Sequence, residues 1–305
     1  MNRRHFLKAT GGAALAAPFA RRSMGQTPGA APAQTPSAPP APPSVFPPAR
    51  PDGWSPLFNG KNLDGWYTFL VRSGKNSDPT GYVKVENGTL HFLGPGAVKE
   101  RDTAQGGYLA TNLEYSNYHL RADFKWGTAR YAPRAMVKRD SGIYVHLIAP
   151  DRVWPTGMQL QIEETDVGDC LAVNGCRFSN VPFNPANTGG NPAWPNAPMN
   201  AVQGGRGARK YADFEKRDDW NTVEVIAKDD KLAFLVNGRL VNSLFNCQSP
   251  DPPAPENAGP TANATQTTPQ TTNFKRLDRG KIALEIEFAE ISYRNVLIRP
   301  LGAAD

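Results

Sequence analysis

Apolar and polar residues alternate with a period of two over many short stretches of this chain. This period places apolar side chains on one face of a β-strand and polar side chains on the other. Asn87-Gly88 and Asn237-Gly238 separate consecutive stretches, and this dipeptide is typical of tight β-hairpin turns. The alternating stretches are 82–86, 89–93, 119–126, 143–147, 159–163, 223–227, 232–236 and 282–288. No crossover helices are visible between them, so the pattern predicts an all-β protein, an antiparallel two-sheet sandwich of the jelly-roll type.

The residues before the predicted sandwich differ from it in composition. Residues 1–26 contain Arg3-Arg4, then Phe-Leu-Lys and a short apolar run of small residues, and this arrangement resembles a twin-arginine export signal. Residues 27–53 contain ten prolines and are predicted to form a disordered Pro/Ala-rich linker. A single β-sandwich domain is predicted over residues 54–302, with a disordered insertion near residues 249–273 that is rich in Pro, Thr, Asn and Gln.

The export signal predicts a periplasmic or secreted protein, with cleavage after Ala20 or Gly25. Its apolar run is too short to span a bilayer, so we expect no membrane association after cleavage. A basic amphipathic helix on a membrane surface is the alternative interpretation of these residues.

The net charge of +6 does not indicate a nucleic-acid partner. Residues 1–26 hold five of the 34 Lys and Arg residues and no Asp or Glu, so 29 basic residues face 28 acidic ones in the rest of the chain. A nearly neutral mature chain lacks the positive surface that binding to nucleic acid requires.

Three cysteines, Cys170, Cys176 and Cys247, leave two interpretations open. In an oxidising compartment Cys170 and Cys176 could form a disulfide, whereas the alternative is three free thiols. Their spacing does not match a structural zinc site.

The polar positions of three alternating stretches indicate a ligand cleft. They are Tyr144 and His146 on one stretch, Gln159, Gln161 and Glu163 on a second, and Glu285 and Glu287 on a third. If these strands share a sheet, the polar groups gather on one exposed face, and such groups beside aromatic rings suit a carbohydrate. A solvated outer face is the alternative interpretation of any single one of these residues.

Several ordered segments resemble one known family, the 3-keto-disaccharide hydrolase domain. Its opening signature is similar to Leu-Phe-Asn-Gly-Lys-Asn-Leu-Asp-Gly-Trp at residues 57–66. Further similar segments follow in the expected order at 107–109, 118–121, 140–144, 159–162, 220–225, 235–238 and 291–296. The resemblance extends over about residues 54–301 and implies a concanavalin A-like, glucanase-like jelly-roll. The chain departs from many members at residues 287–290, where Glu-Phe-Ala-Glu replaces a His-Gly pair.

The resemblance implies an enzyme that cleaves glycosides or disaccharides whose sugar a separate oxidoreductase has first converted to a 3-ketone. The ketone acidifies the neighbouring hydrogen, so a base can promote elimination of the aglycone before water adds. His146 and Glu163 are the expected acid/base pair. The expected substrate-binding residues are Arg139, Asp140, Tyr144, Gln159, Gln161, Glu285, Glu287 and Trp66. The alternative for Trp66 is a position in the core or at its rim.

A divalent cation held by His146 and Glu163 would polarise the ketone. The acidic segment at residues 163–169 is also suited to Ca²⁺, although a solvated turn is the preferred interpretation. Two other functions stay open at this point. One is a non-catalytic, lectin-like carbohydrate-binding module on the same fold. The other is a conventional glycosidase that uses Glu285 and Glu287.

Overall fold

The computed structural model describes residues 45–99, 102–180, 200–253 and 273–302, and of residues 200–206 it describes the backbone only. These ranges contain β-strands and turns but no helix, as the alternation predicts. The described ranges therefore hold no helix that could cross a membrane. The strands are β1 Ser55–Pro56, β2 Trp66–Leu70, β3 Gly74–Lys75, β4 Val83–Glu86, β5 Thr89–Phe92, β6 Gly107–Thr111, β7 Tyr118–Arg130, β8 Asp140–Ile148, β9 Thr156–Glu163, β10 Cys170–Asn180, β11 Asn200–Ala208, β12 Asn221–Lys228, β13 Lys231–Val236, β14 Arg239–Pro250, β15 Phe274–Arg276, β16 Lys281–Ile286 and β17 Ala289–Pro300.

The predicted hairpins are present. Strands β4 and β5 pair up to Glu86 and Thr89, and the intervening Asn87 and Gly88 both have positive φ, of 51° and 78°. Two successive positive φ values match the twist of the flanking strands, which is why Asn-Gly is favoured there. Asn237 and Gly238 repeat this geometry between β13 and β14.

The strands pair antiparallel in two runs of neighbours. The first run is β10, β9, β8, β16, β6, β2 and β3. The second run is β14, β13, β12, β7, β17, β5 and β4. Apolar residues of both runs form one buried cluster, the main core, and the domain is an antiparallel β-sandwich. Because β10 also pairs with β14, the runs are joined by hydrogen bonds, and the two-sheet jelly-roll order stays a prediction.

Strand β8 shows how the first run separates two environments. Ile143 and Val145 point into the main core, whereas Tyr144 and Leu147 belong to a second apolar cluster on the opposite face. That second cluster also includes Tyr67 of β2, and it continues into the polar residues described below.

The ends of the predicted domain contact the sandwich in part. Phe46 packs against the main core, with its ring centroid 5.5 Å from that of Tyr115, and the hydroxyl of Ser55 donates to the carbonyl of Pro47 over 2.7 Å. The predicted linker therefore already contacts the domain at Phe46 and Pro47. Strand β14 runs to Pro250, into the predicted insertion, and pairs with β15. The predicted signal, most of the linker and residues 254–272 lie outside the described residues.

Candidate active site

The register of β8 brings four carboxyl groups together on the face of the first run opposite the main core. Asp140 lies directly across from Glu163 on β9, and on its other side it forms a bridge with Glu287, just after β16. Glu285 lies two residues before Glu287, so its side chain emerges on the same face. We call this surface the carboxylate face and define it by Asp140, Glu163, Glu285 and Glu287.

The carboxylate face is buried, contrary to the expected exposed cleft. Asp140, Glu163 and Glu285 are each 5% exposed or less. The side chain of Glu287 keeps 13% of its accessibility, and that of the adjacent Arg134 keeps 29%. Solvent therefore reaches this group of residues beside Arg134 and Glu287.

Glu285 is held by two residues of neighbouring strands. The Tyr144 hydroxyl donates to its Oε1 over 2.5 Å, and the Gln159 side-chain amide donates to its Oε2 over 2.6 Å. Burial raises the pKa of the Glu285 carboxyl to about 8, and the nearby charge of Asp140 adds to this, while hydrogen bonds from Tyr144 and Glu287 and the charge of Arg134 act in the opposite direction. Glu285 is therefore suited to hold a proton near neutral pH.

Arg134 is the residue that the sequence did not single out. One guanidinium nitrogen lies 2.8 Å from Asp140 and 3.1 Å from Glu163, and the other lies 3.1 Å from Glu287. Arg134 belongs to the turn between β7 and β8 and not to an alternating strand, so pleating does not predict its direction. The signal that could have found it is chemical, because several carboxylates on one face require a nearby cation.

Gln161 and three of the carboxyl groups form a set of oxygen atoms suited to a hard cation. Carboxylate oxygens of Asp140, Glu285 and Glu287 lie within 4.8 Å of one another. The Gln161 amide nitrogen donates to Asp140 over 2.8 Å, and within the described chain its buried Oε1 has no hydrogen-bond partner. Three carboxylates and an amide oxygen are ligands that Ca²⁺ or Mg²⁺ prefers, so the residues fit a divalent cation.

The expected position of His146 beside Glu163 is wrong. His146 has a φ of 54°, and the pairing of β8 with β9 shifts register between Val145 and Ile148, which is a β-bulge. The bulge turns His146 to the side of the main core, where its ring lies edge-on to Tyr118 at 5.7 Å between centroids. Burial lowers its pKa to about 4, and among the described residues neither ring nitrogen has a hydrogen-bond partner of good geometry. His146 therefore does not belong to the proposed cation site.

Trp66 and Arg139 also lie elsewhere than predicted. Trp66 is in the main core, where its indole N–H donates to the carbonyl of Leu57 over 2.9 Å, so it cannot stack against a sugar. Arg139 forms an ion pair with Glu164 at 2.5 Å and donates to the carbonyl of Gly127 over 2.6 Å. It points away because it immediately precedes Asp140, and successive residues of a strand face opposite sides.

The acidic segment at residues 163–169 is neutralised by basic side chains. Glu164 pairs with Arg139, Asp166 pairs with Lys138 at 2.9 Å, and Asp169 pairs with Arg209 at 2.8 Å. This pattern agrees with a turn better than with a Ca²⁺ loop. All three cysteines are buried free thiols, and burial raises the pKa of each thiol.

Next to the carboxylate face, the second apolar cluster carries its own polar network. The hydroxyls of Tyr67 and Tyr108 donate to the same oxygen of Asp151, over 2.5 and 3.1 Å, and Lys75 pairs with its other oxygen at 2.9 Å. Lys281 donates to the Tyr67 hydroxyl over 3.2 Å. This network attaches the segment between β8 and β9 to the same face of the first run.

Comparisons with known proteins identify one family. The model of the 3-keto-alpha-glucoside-1,2-lyase-like domain matches residues 53–299. No curated protein is similar enough to match the chain. A "putative glycosyl hydrolase" from Parabacteroides distasonis ATCC 8503 is 18% identical over 82% of this chain and 95% of that chain, with a TM-score of 0.47. The carbohydrate-binding module CBM66 from Bacillus subtilis is 10% identical over 77% of this chain and 95% of that chain, with a TM-score of 0.36.

Proposed function

Because the chain belongs to the family of 3-keto-alpha-glucoside-1,2-lyase-like domains, we propose that it cleaves glycosides whose sugar carries a ketone at C3. The observation that carries the proposal is the meeting of Glu163, Glu285 and Arg134 on one face. A buried carboxyl group with a raised pKa, next to other carboxylates and a guanidinium, is an arrangement in which acid and base roles separate.

The reaction proceeds by elimination followed by hydration. A base removes the hydrogen on C2, and the electron pair first forms an enolate with the C3 oxygen. The pair then forms the C1–C2 double bond as the C1–O bond breaks, and the departing oxygen takes a proton from an acid. Water adds at C1 and a proton returns to C2, so the net result is hydrolysis.

The residues of the carboxylate face are assigned to these steps by their surroundings. Glu163 is the base that accepts the C2 proton. Glu285, which its raised pKa keeps protonated at neutral pH, donates the proton to the leaving oxygen. Arg134 stabilises the negative charge of the enolate oxygen, since its guanidinium already faces carboxylate oxygens at 2.8 to 3.1 Å.

A divalent cation is the alternative to the acid role of Glu285, because a carboxyl group that keeps its proton cannot also coordinate a cation. Asp140, Glu285, Glu287 and the Oε1 of Gln161 would hold it, and when bound it would polarise the ketone. Arg134 supplies positive charge to the same carboxylates. If the cation and the guanidinium neutralise the same carboxylates, added Mg²⁺ or Ca²⁺ should restore part of the substrate binding that Arg134→Ala loses.

The proposed activity is tested with purified protein and a 3-keto-glucoside or 3-keto-disaccharide, with and without divalent cations. We expect release of the leaving group, and incorporation of solvent deuterium at C2 of the sugar product as the mark of proton removal from that carbon. Cleavage without deuterium at C2 would favour an ordinary glycosidase mechanism, and no cleavage under any of these conditions contradicts the proposal.

A non-catalytic carbohydrate-binding module is the second candidate, and one observation favours it. Arg134 pairs with three of the four carboxylates, as a purely structural ion-pair network would. This candidate predicts binding of unoxidised glycans with an affinity that does not change in Glu163→Gln.

We also propose that the protein acts outside the cytoplasm on the product of a separate sugar oxidoreductase. The Arg3-Arg4 signal supports export. The elimination needs a ketone at C3, which supports an oxidoreductase that acts first. Replacing Arg3 and Arg4 by Lys in the full-length chain should retain the protein in the cytoplasm, whereas Lys8→Arg as a control should not. Unchanged export of the double variant contradicts the proposed route.

A further inference from the structure

The ring of Trp154 lies against Gly106, and only a glycine allows this contact. A Cβ atom at residue 106 would lie 2.8 Å from Cη2 of Trp154, closer than two carbon atoms approach without strain. The backbone carbonyl of Trp154 accepts a hydrogen bond from the side chain of Asn174, just beyond the part of β10 that pairs with β9. Trp154 is therefore fixed at its backbone and at the far edge of its ring, and it keeps part of its surface exposed.

The position of Gly106 places this ring next to the carboxylate face. Strand β6 pairs with β16 so that Gly107 faces Ile286, and extending that register by one residue puts Gly106 beside Glu287. Gly106 and Tyr108 are two residues apart, so both are directed to the face that carries Glu285 and Tyr144. This register places the indole of Trp154 on the same side of the first run as the carboxylate face, at the end of β16 that leads to Glu287.

Phe69 and Val71 extend the apolar surface of Trp154, and we call these three residues the apolar wall. Phe69 stacks on Tyr108 with ring centroids 5.5 Å apart and an interplanar angle of 16°. The backbone N–H of Val71 donates to the carbonyl of Gly106 over 3.0 Å, so Val71 lies beside the glycine that the indole contacts. Phe69, Val71 and Trp154 all pack on the second apolar cluster and are all part-exposed.

The polar groups beneath this wall are already engaged with one another. Tyr67 and Tyr108 both donate to Asp151, and Lys75 pairs with its second carboxylate oxygen. A sugar ring bound here would need partners for its hydroxyl groups. Tyr67, Tyr108 and Lys75 could supply them only by giving up their existing bonds to Asp151. A flat apolar ring has no such requirement.

We propose that Trp154, Phe69 and Val71 form the subsite for the leaving group, and that this subsite selects an aglycone with an aromatic ring. The inference rests on the proposed function for its orientation, because the bond to be broken must lie at Glu163 and Glu285. Trp154 is a binding residue in this scheme and takes no part in proton transfer. It takes the stacking role that the sequence had suggested for Trp66.

The test measures the binding of unoxidised phenyl and methyl α-glucosides by calorimetry, which does not depend on turnover. We expect the wild type to bind the phenyl glycoside about three- to tenfold more tightly than the methyl glycoside, the range that one aromatic contact supplies. Trp154→Ala should abolish this preference and leave methyl glycoside binding unchanged, and Trp154→Phe should retain most of it.

A second variant separates binding from folding. Gly106→Ala displaces the indole without removing it, and the φ of Gly106 lies outside the left-handed region, so alanine fits the backbone. It should lower the phenyl preference as Trp154→Ala does. The control is Trp220→Ala, whose ring packs on the Arg294 guanidinium at 3.9 Å, and it should have no effect.

Equal affinity of the wild type for both glycosides would overturn the subsite, as would equal weakening of both in Trp154→Ala. Where 3-keto-glycosides are cleaved, the same variants should raise KM for the phenyl substrate and leave kcat nearly unchanged. Absence of cleavage together with an intact phenyl preference would contradict the proposed function and support the subsite.

Discussion

The hydroxyl of Tyr144 donates a hydrogen bond to Oε1 of Glu285 over 2.5 Å, although the two residues are 141 positions apart in the chain. Strand β8 brings them together, because it pairs with β16 on one side and with β9 on the other. Together with Gln159, Tyr144 fixes the orientation of a carboxyl group that has little access to water.

Replacing Glu285 by Gln should lower kcat about 100- to 10,000-fold, the usual contribution of a general acid, while KM changes little. The amide keeps the shape and the hydrogen bond from Tyr144 but cannot release a proton on the reaction timescale. Steady-state kinetics with a 3-keto-glycoside measures the effect, and Glu114→Gln, at an exposed position paired with Arg279, is the matched control. Equal losses in both variants would show that Glu285 has no specific role.

The raised pKa of Glu285 also predicts how stability depends on pH. In the unfolded chain the carboxyl ionises near its ordinary pKa of 4.5, and in the folded chain near about 8. Between pH 4.5 and about 8 the folded state therefore binds more protons than the unfolded state. The contribution of Glu285 to the free energy of unfolding is complete below about pH 4.5 and is lost as the pH rises to 8. Urea unfolding at pH 5 and pH 8 should show a smaller decrease in the free energy of unfolding for Glu285→Gln than for the wild type. Identical decreases would contradict the assignment.

His146 should matter for acid stability and not for catalysis. Its pKa is lowered to about 4 by burial, from an ordinary value of 6.5, so the unfolded chain binds the extra proton first as the pH falls. Stability should therefore decrease between about pH 6.5 and pH 4. His146→Leu should flatten this decrease and keep kcat within about twofold of the wild type, since the ring lies on the side of the main core. A large loss of kcat in a folded His146→Leu would restore the catalytic role predicted from the sequence.

Arg134→Ala should destabilise the fold by leaving three carboxylates without their common cation. Removing one partner of a fully buried ion pair costs about 3–5 kcal/mol. The side chain of Arg134 is 29% exposed, so water compensates part of the loss and we expect about 2 kcal/mol. The free energy of unfolding measures this loss, and Arg294→Ala, which removes a more exposed arginine that pairs with Asp123 at 3.5 Å, should cost less. A cost for Arg134→Ala no larger than that for Arg294→Ala would argue against a shared ion-pair network.

Trp66→Phe should change stability and leave activity unaffected. The variant loses the hydrogen bond from the indole N–H to Leu57 and leaves a buried carbonyl without its partner, at a cost of about 1–3 kcal/mol. Thermal unfolding measures the loss, and the kinetic constants for a 3-keto-glycoside should match those of the wild type. A change in KM without a change in unfolding temperature would point to substrate contact instead.

The alternation of residues was sufficient to predict which side chains of regular strands share a face. Tyr144, Gln159, Gln161, Glu163, Glu285 and Glu287 lie on one face because pleating directs every second side chain the same way. The same rule failed at His146, since a bulge inserts one residue into β8 and reverses the alternation locally. A bulge depends on how the partner strand aligns, so the residues of β8 alone do not reveal it.

The sequence by itself therefore determined the strand class, the hairpin turns and most members of the carboxylate face, because these depend on local periodicity and on the φ preferences of Asn and Gly. The tertiary structure decided which polar groups are buried and that Arg134 pairs with three of the carboxylates. It also decided that Trp154 packs on their side of the first run, whereas Trp66 lies in the main core. Burial and long-range pairing depend on the register between strands far apart in the chain. Turn residues such as Arg134 and Trp154 take their directions from contacts, since they have no repeating pattern of their own.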